Sequence, residues 1–139
     1  MPTATLTLTS ADIAGDPVNV SKTSTCYKAG SGSEMLDQTN GLQKIILTTG
    51  SANTILPSEH TLGTGKAAKV FIINKSTVAD EYVTVTIISQ VIGKLYAGQW
   101  AFFPWTQLDA SSDLKVTASA EGKSMPVEYM LMHEGYAFS

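Results

Sequence analysis

The chain reads as all-β, an antiparallel β-sandwich or jelly roll of about eight to ten short strands. Three observations carry that reading. Short runs alternate apolar and polar side chains with a two-residue period, clusters of Gly, Asn, Ser and Pro separate the runs, and no long stretch shows the apolar spacing of an amphipathic helix. Thr and Val are abundant, as pleated, half-buried surfaces require. No repeat of fixed period points to a propeller or solenoid, and a closed barrel is the main alternative. At 139 residues the chain is one domain by length, 1–139, large enough to bury about two thirds of the surface its unfolded form exposes.

Thr3-Ala4-Thr5-Leu6-Thr7-Leu8-Thr9 alternates with Leu6 and Leu8 on one side, a half-buried strand or an extended arm over 1–10. Ser10 to Pro17 suggests a short capped helical turn, and Asp12 and Asp16 there are a cap and a turn carboxylate rather than a calcium loop. Val18 to Tyr27 resumes the alternation. Its Cys26 is the chain's one cysteine, expected as a small buried hydrophobe. Ala29 to Ser33 is a loop by composition, Glu34 to Asn40 is irregular, and Asn40-Gly41 turns into a strand over Leu42 to Thr48. Ala52 to Leu56 is a short strand stopped by Pro57, and the loop after it carries His60, expected in solvent.

The segment ending Val70-Phe71-Ile72-Ile73-Asn74 is apolar on both faces, as a central strand should be. Tyr82 to Ile88 points Val83, Val85 and Ile87 inward and Tyr82, Thr84 and Thr86 outward. Gly93 to Trp105 holds both tryptophans and two of the four phenylalanines. Gly98-Gln99 divides it into two strands, which predicts a tight aromatic hairpin with positive φ at the glycine. Trp100 and Phe102 share one face, and Ala101 and Phe103 the other. Rings on both faces mean that one enters the core and the second is covered by a loop or another chain. Trp100 and Phe102 are either core or contact residues; Trp105, past a proline, is expected outside the strand. Leu114 to Ser119 alternates, and Pro126 to Glu134 is the last strand, with Val127, Tyr129 and Leu131 in one row. Met130 and Met132 opposite are core filler or a contact patch, and His133 is expected at the surface. Tyr136 and Phe138 lie beyond the last strand, in a tail 135–139 expected to dock on this or a neighbouring subunit.

Net charge is −3 and all nine basic residues are lysine. Arginine is favoured for phosphate and guanine contacts, so the balance argues against nucleic acid as a partner. The first residues lack a basic, apolar leader and no window is long enough for a membrane span, so synthesis in the cytoplasm and no membrane partner are expected. There is no Gly-rich phosphate loop, no His-Glu-x-x-His, no G-x-S-x-G and no Cys-His pair in one segment. Asp109 and Asp113 are spaced like a metal or carboxylate pair, but turn-forming hydrogen bonds explain them equally. The chain is expected to be no enzyme, with no catalytic residue, cofactor or metal.

From Lys69 onward the order of features resembles a β-sandwich pattern in accessory structural proteins of tailed bacteriophages. The segments that carry it are Val70-Phe71-Ile72-Ile73-Asn74-Lys75-Ser76, Tyr82 to Ile87, Ile92 to Pro104, Asp113 to Ala118 and Val127 to Leu131. The resemblance implies a virion protein at the capsid surface, a decoration or cement protein with the major capsid protein as partner, commonly a homotrimer. A head-fibre, neck or tail component, or a small lectin-like adhesin binding a host glycan, is the alternative. For an interface of this kind the candidate residues are Leu6, Leu8, Tyr96, Phe103, Trp105, Tyr136 and Phe138, because exposed aromatics dominate such contacts. For a glycan, Tyr96 or Trp105 would stack on the sugar with Gln107 and Asp109 beside it.

Overall fold

Alternating side chains become eleven strands in a computed structural model that describes residues 2–11, 18–48, 50–56, 67–87, 89–105, 113–119 and 124–134. In order they are β1 (Thr3–Ser10), β2 (Val18–Thr25), β3 (Gln38–Thr39), β4 (Gln43–Leu47), β5 (Ala52–Leu56), β6 (Ala68–Asn74), β7 (Tyr82–Ile87), β8 (Gln90–Tyr96), β9 (Trp100–Pro104), β10 (Leu114–Ala118) and β11 (Met125–His133). No helix occurs among the described residues.

From β4 onward the chain is one long antiparallel ribbon folded back on itself. β7 pairs with β8, β6 with β9, β5 with β10 and β4 with β11. The ribbon turns at Ile87 opposite Gln90, where Ser89 takes φ of 59°, and then coils so that β11 lies beside β6 and β10 beside β7. Two sheets result, β4-β11-β6-β9 and β5-β10-β7-β8, with β3 alongside the far end of β11. That order is the double Greek key of a jelly roll. β1 and β2 form a separate two-stranded hairpin.

The core lies between the two sheets. Val70, Ile72, Val127 and Leu131 from the first face Val83, Val85, Leu114 and Val116 from the second, all buried. Burying each such side chain is worth about 1.5–3 kcal/mol. Strands β6 and β10 alternate buried and half-buried residues along their whole length, the mark of central strands covered on both sides. Cys26 is buried, as a small hydrophobe should be.

Three local expectations are corrected. Gly98-Gln99 does not close a hairpin, because β8 belongs to one sheet and β9 to the other; it is the corner between them. The Gln99 N–H donates to the Tyr96 carbonyl at 2.9 Å and Gly98 has φ of 78°, the left-handed third position of a type II turn. Trp105 is core, with 2% of its surface exposed. The period of two runs on through Pro104, which an edge strand tolerates, so Ala101, Phe103 and Trp105 share the inner face; the Trp105 N–H still reaches the Ala68 carbonyl at 3.2 Å. His133 is buried for the same reason, falling in the inward row of Val127 and Leu131, and its ring nitrogen contacts the Glu134 carbonyl.

Two polar knots close the ends of the jelly roll. At one end Asn74, fully buried, donates from Nδ2 to the Leu95 carbonyl at 2.9 Å and accepts from the Ser76 N–H at 2.9 Å. The Ser76 hydroxyl donates to the Glu81 carboxylate at 2.7 Å. The Asn74 backbone also bonds Gly98 and Gln99, so this one residue fixes the corner that launches β9. At the other end the buried Glu134 carboxylate accepts from the backbone N–H groups of Ala29 and Ala67, at 3.0 and 2.5 Å.

Candidate docking surface

β6 and β9 have two apolar faces, and only one can point between the sheets. The other carries Phe71 beside Phe102 and Met130 in one row of the register, with Trp100 beside Ile73 in the next. The Phe71 and Trp100 rings sit 6.3 Å apart, tilted by 40°.

The β1–β2 hairpin overhangs this face. Its register sorts Thr3, Thr5, Thr7 and Thr9 opposite Thr25, Thr23, Ser21 and Asn19, and Ala4, Leu6 and Leu8 opposite Ser24, Lys22 and Val20. One face is therefore hydroxyl-rich and the other mostly apolar; the Thr5 and Thr23 hydroxyls are 2.9 Å apart. At its base the Cys26 N–H donates to the Pro2 carbonyl at 2.9 Å.

Between hairpin and sheet lies a cleft of about 640 Å³. Phe71, Trp100, Phe102, Met130 and Met132 form one wall, while Pro2, Ala4 and Leu6 form the other, with the Lys22 cation among them. A depression of about 340 Å³ continues past Pro2, Met130 and Met132 toward Leu36 and Asp37. Asp37 is tied to Lys28 at 3.2 Å, and its hydrogen bond and charge raise the lysine pKa above the ordinary 10.5. The chemistry available in the cleft is contact: methionines that adapt their shape, aromatic rings and a cation. Ser24, which shares the Ala4 and Leu6 face of the hairpin, has no histidine or carboxylate among the lining residues to activate it. No group of three His, Cys, Asp or Glu side chains converges among the described residues.

The structure divides the candidate residues into separate places. Leu6 and Leu8 are 47% and 55% exposed on the hairpin. Tyr96 is exposed at the corner, its ring 5.2 Å from that of Tyr82, over which the Lys94 ammonium sits at 4.5 Å. Trp105 is buried in the core, and Phe103, half-buried, packs against it from the inner side of β9. Tyr136 and Phe138 lie outside the described residues, as do Asp12, Asp16, His60, Gln107 and Asp109. The cleft wall was missed as a unit, although Trp100, at 49% exposed, and the Met130/Met132 pair were each noted as possible contacts. The available signal was the doubly apolar pattern of Val70 to Ile73.

No family model matches the chain, and no curated protein matches it. Among solved structures it is similar to a solution NMR structure of a de novo designed double-stranded beta-helix. Identity is 16%, the TM-score is 0.34, and the match covers 67% of this chain and 97% of that one. Likeness at that level carries nothing about function.

Proposed function

We propose that the protein is a non-enzymatic structural component of a virion, a decoration protein that docks on the outside of a capsid and ties major capsid subunits together. The observation that supports docking is the Phe71, Trp100, Phe102 and Met130 wall, where a tryptophan stays half exposed beside an apolar cleft. Half-exposed tryptophan in such a setting is the usual anchor of a protein contact. The virion context rests on the resemblance of the segments from Val70 to Leu131.

The test is co-expression with the major capsid protein of the same genome, followed by sedimentation of the assembled shells. Saturable attachment is expected, with Trp100→Ala weakening it about 30-fold or more, the equivalent of a 2 kcal/mol anchor. Attachment unchanged by that substitution, or none at all, refutes the reading. A glycan-binding role is less favoured. Of the two rings considered for stacking on a sugar, Trp105 is in the core and Tyr96 packs on Tyr82. The cleft also offers few polar groups to orient a saccharide.

A further inference from the structure

Edges of β-sheets invite pairing unless something blunts them. In the jelly roll each edge is blunted. β8 carries an extra residue, Ile92, opposite Val85 and Thr86 of β7, and β5 is five residues long with an extra residue, Ile55, opposite Leu114 and Lys115 of β10. β9 is short and ends in Pro104, and β4 carries Lys44. β1 has none of these devices. It runs eight residues without a charge, a proline or a register shift, and it pairs with β2 alone among the described strands. Thr5 to Thr9 are all exposed.

We propose that β1 is a contact edge between two copies of this chain, pairing antiparallel over Thr5 to Thr9 about a two-fold axis at Thr7. The sequence is self-complementary in that register. Thr7 faces Thr7 of the second copy, Leu6 faces Leu8, and Thr5 faces Thr9. Apolar residues meet on one side and hydroxyls on the other, and no like charges are opposed. The hairpin alone is two strands, which is marginal in water; paired, it becomes a four-stranded sheet with one continuous face of Leu6, Leu8, Val18 and Val20 from each copy. Antiparallel pairing places the two jelly rolls at opposite ends of that sheet, and an isologous contact of this kind closes at two copies. The inference does not rest on the capsid reading, and its test is in free solution.

Light scattering should give a native mass twice the 14.7 kDa chain mass. Thr7→Lys and Thr7→Glu each oppose like charges across the axis, so each variant alone should run at half the parent's mass, and mixing them one to one should restore the dimer. Circular dichroism and a cooperative urea transition report that the variants stay folded. As a second measurement, Thr7→Cys should oxidise to a covalent dimer while Thr5→Cys, which faces Thr9, should not; the native Cys26 is buried. A monomeric or trimeric parent, single charge variants that keep the parent's mass, a mixture that stays apart, or equal crosslinking at both positions would overturn the proposal.

Discussion

Replacing Asn74 tests whether the jelly roll's corner is held by one side chain. Its amide makes two well-formed bonds, Nδ2 to the Leu95 carbonyl and Oδ1 from the Ser76 N–H, both at 2.9 Å in a site with no solvent exposure. Asn74→Ala removes both bonds and leaves the buried Ser76 N–H and the part-buried Leu95 carbonyl without them. An unpaired buried group costs about 1–3 kcal/mol, which gives about 3 kcal/mol for the pair after partial relaxation. With an m-value of about 2 kcal/mol/M, the urea midpoint should fall by about 1.5 M. Asn74→Asp should fall further at neutral pH, because it loses the donor and sets a second carboxylate on Ser76, whose hydroxyl already holds the buried Glu81 carboxylate. Burial and that neighbour raise the new carboxyl's pKa, so its destabilisation appears as pH rises through that pKa and shrinks as pH falls. Urea titrations at two pH values measure both effects. A midpoint shift below about 0.3 M for Asn74→Ala, or no pH dependence of the gap between the two variants, refutes the reasoning.

The two tryptophans should separate cleanly. Trp105→Ala empties a core position and should cost about 3–5 kcal/mol in denaturant unfolding, whereas Trp100→Ala, half exposed, should cost about 1 kcal/mol. Gly98→Ala should cost about 1 kcal/mol by the same assay, entirely from its φ of 78°, since a Cβ there meets nothing within 4 Å. The Lys28 amine should titrate above 10.5 by NMR, and Asp37→Asn should bring it back toward that value. The ion pair's contribution is present at neutral pH and lost as pH rises past the raised lysine pKa.

Strands were legible because each is a local pattern: Ala52 to Leu56 and Tyr82 to Ile87 need only their own residues to be recognised. Which strands become neighbours was not, because pairing β4 with β11 depends on residues some eighty positions apart, 43–47 against 125–129. Turn chemistry misled in one place. Gly98-Gln99 has the stronger signal, yet the ribbon reverses between Ile87 and Gln90, where the sequence has neither Gly nor Asn; glycine serves the corner because a left-handed φ is needed there too. The burial of His133 and Trp105 was within reach, since extending the odd-numbered rows of their strands by one more step places both inside. What hid them was polarity in one case and a preceding proline in the other. The docking wall depended on knowing that the β1–β2 hairpin overhangs β6 and β9, which no local pattern states.

The placement of β11 also orders events during synthesis. It is the last of the described strands in chain order, yet it sits in the interior of its sheet, between β4 and β6. Until the ribosome has released Met125 to His133, β4 lacks its ladder partner and the inward row of β6 lacks a neighbour on that side. The sheet therefore cannot close until β11 has left the exit tunnel, and closing it takes slow, long-range pairing. A nascent chain stalled just before Met125 should remain protease-sensitive, while one extended beyond the exit tunnel should become resistant all at once.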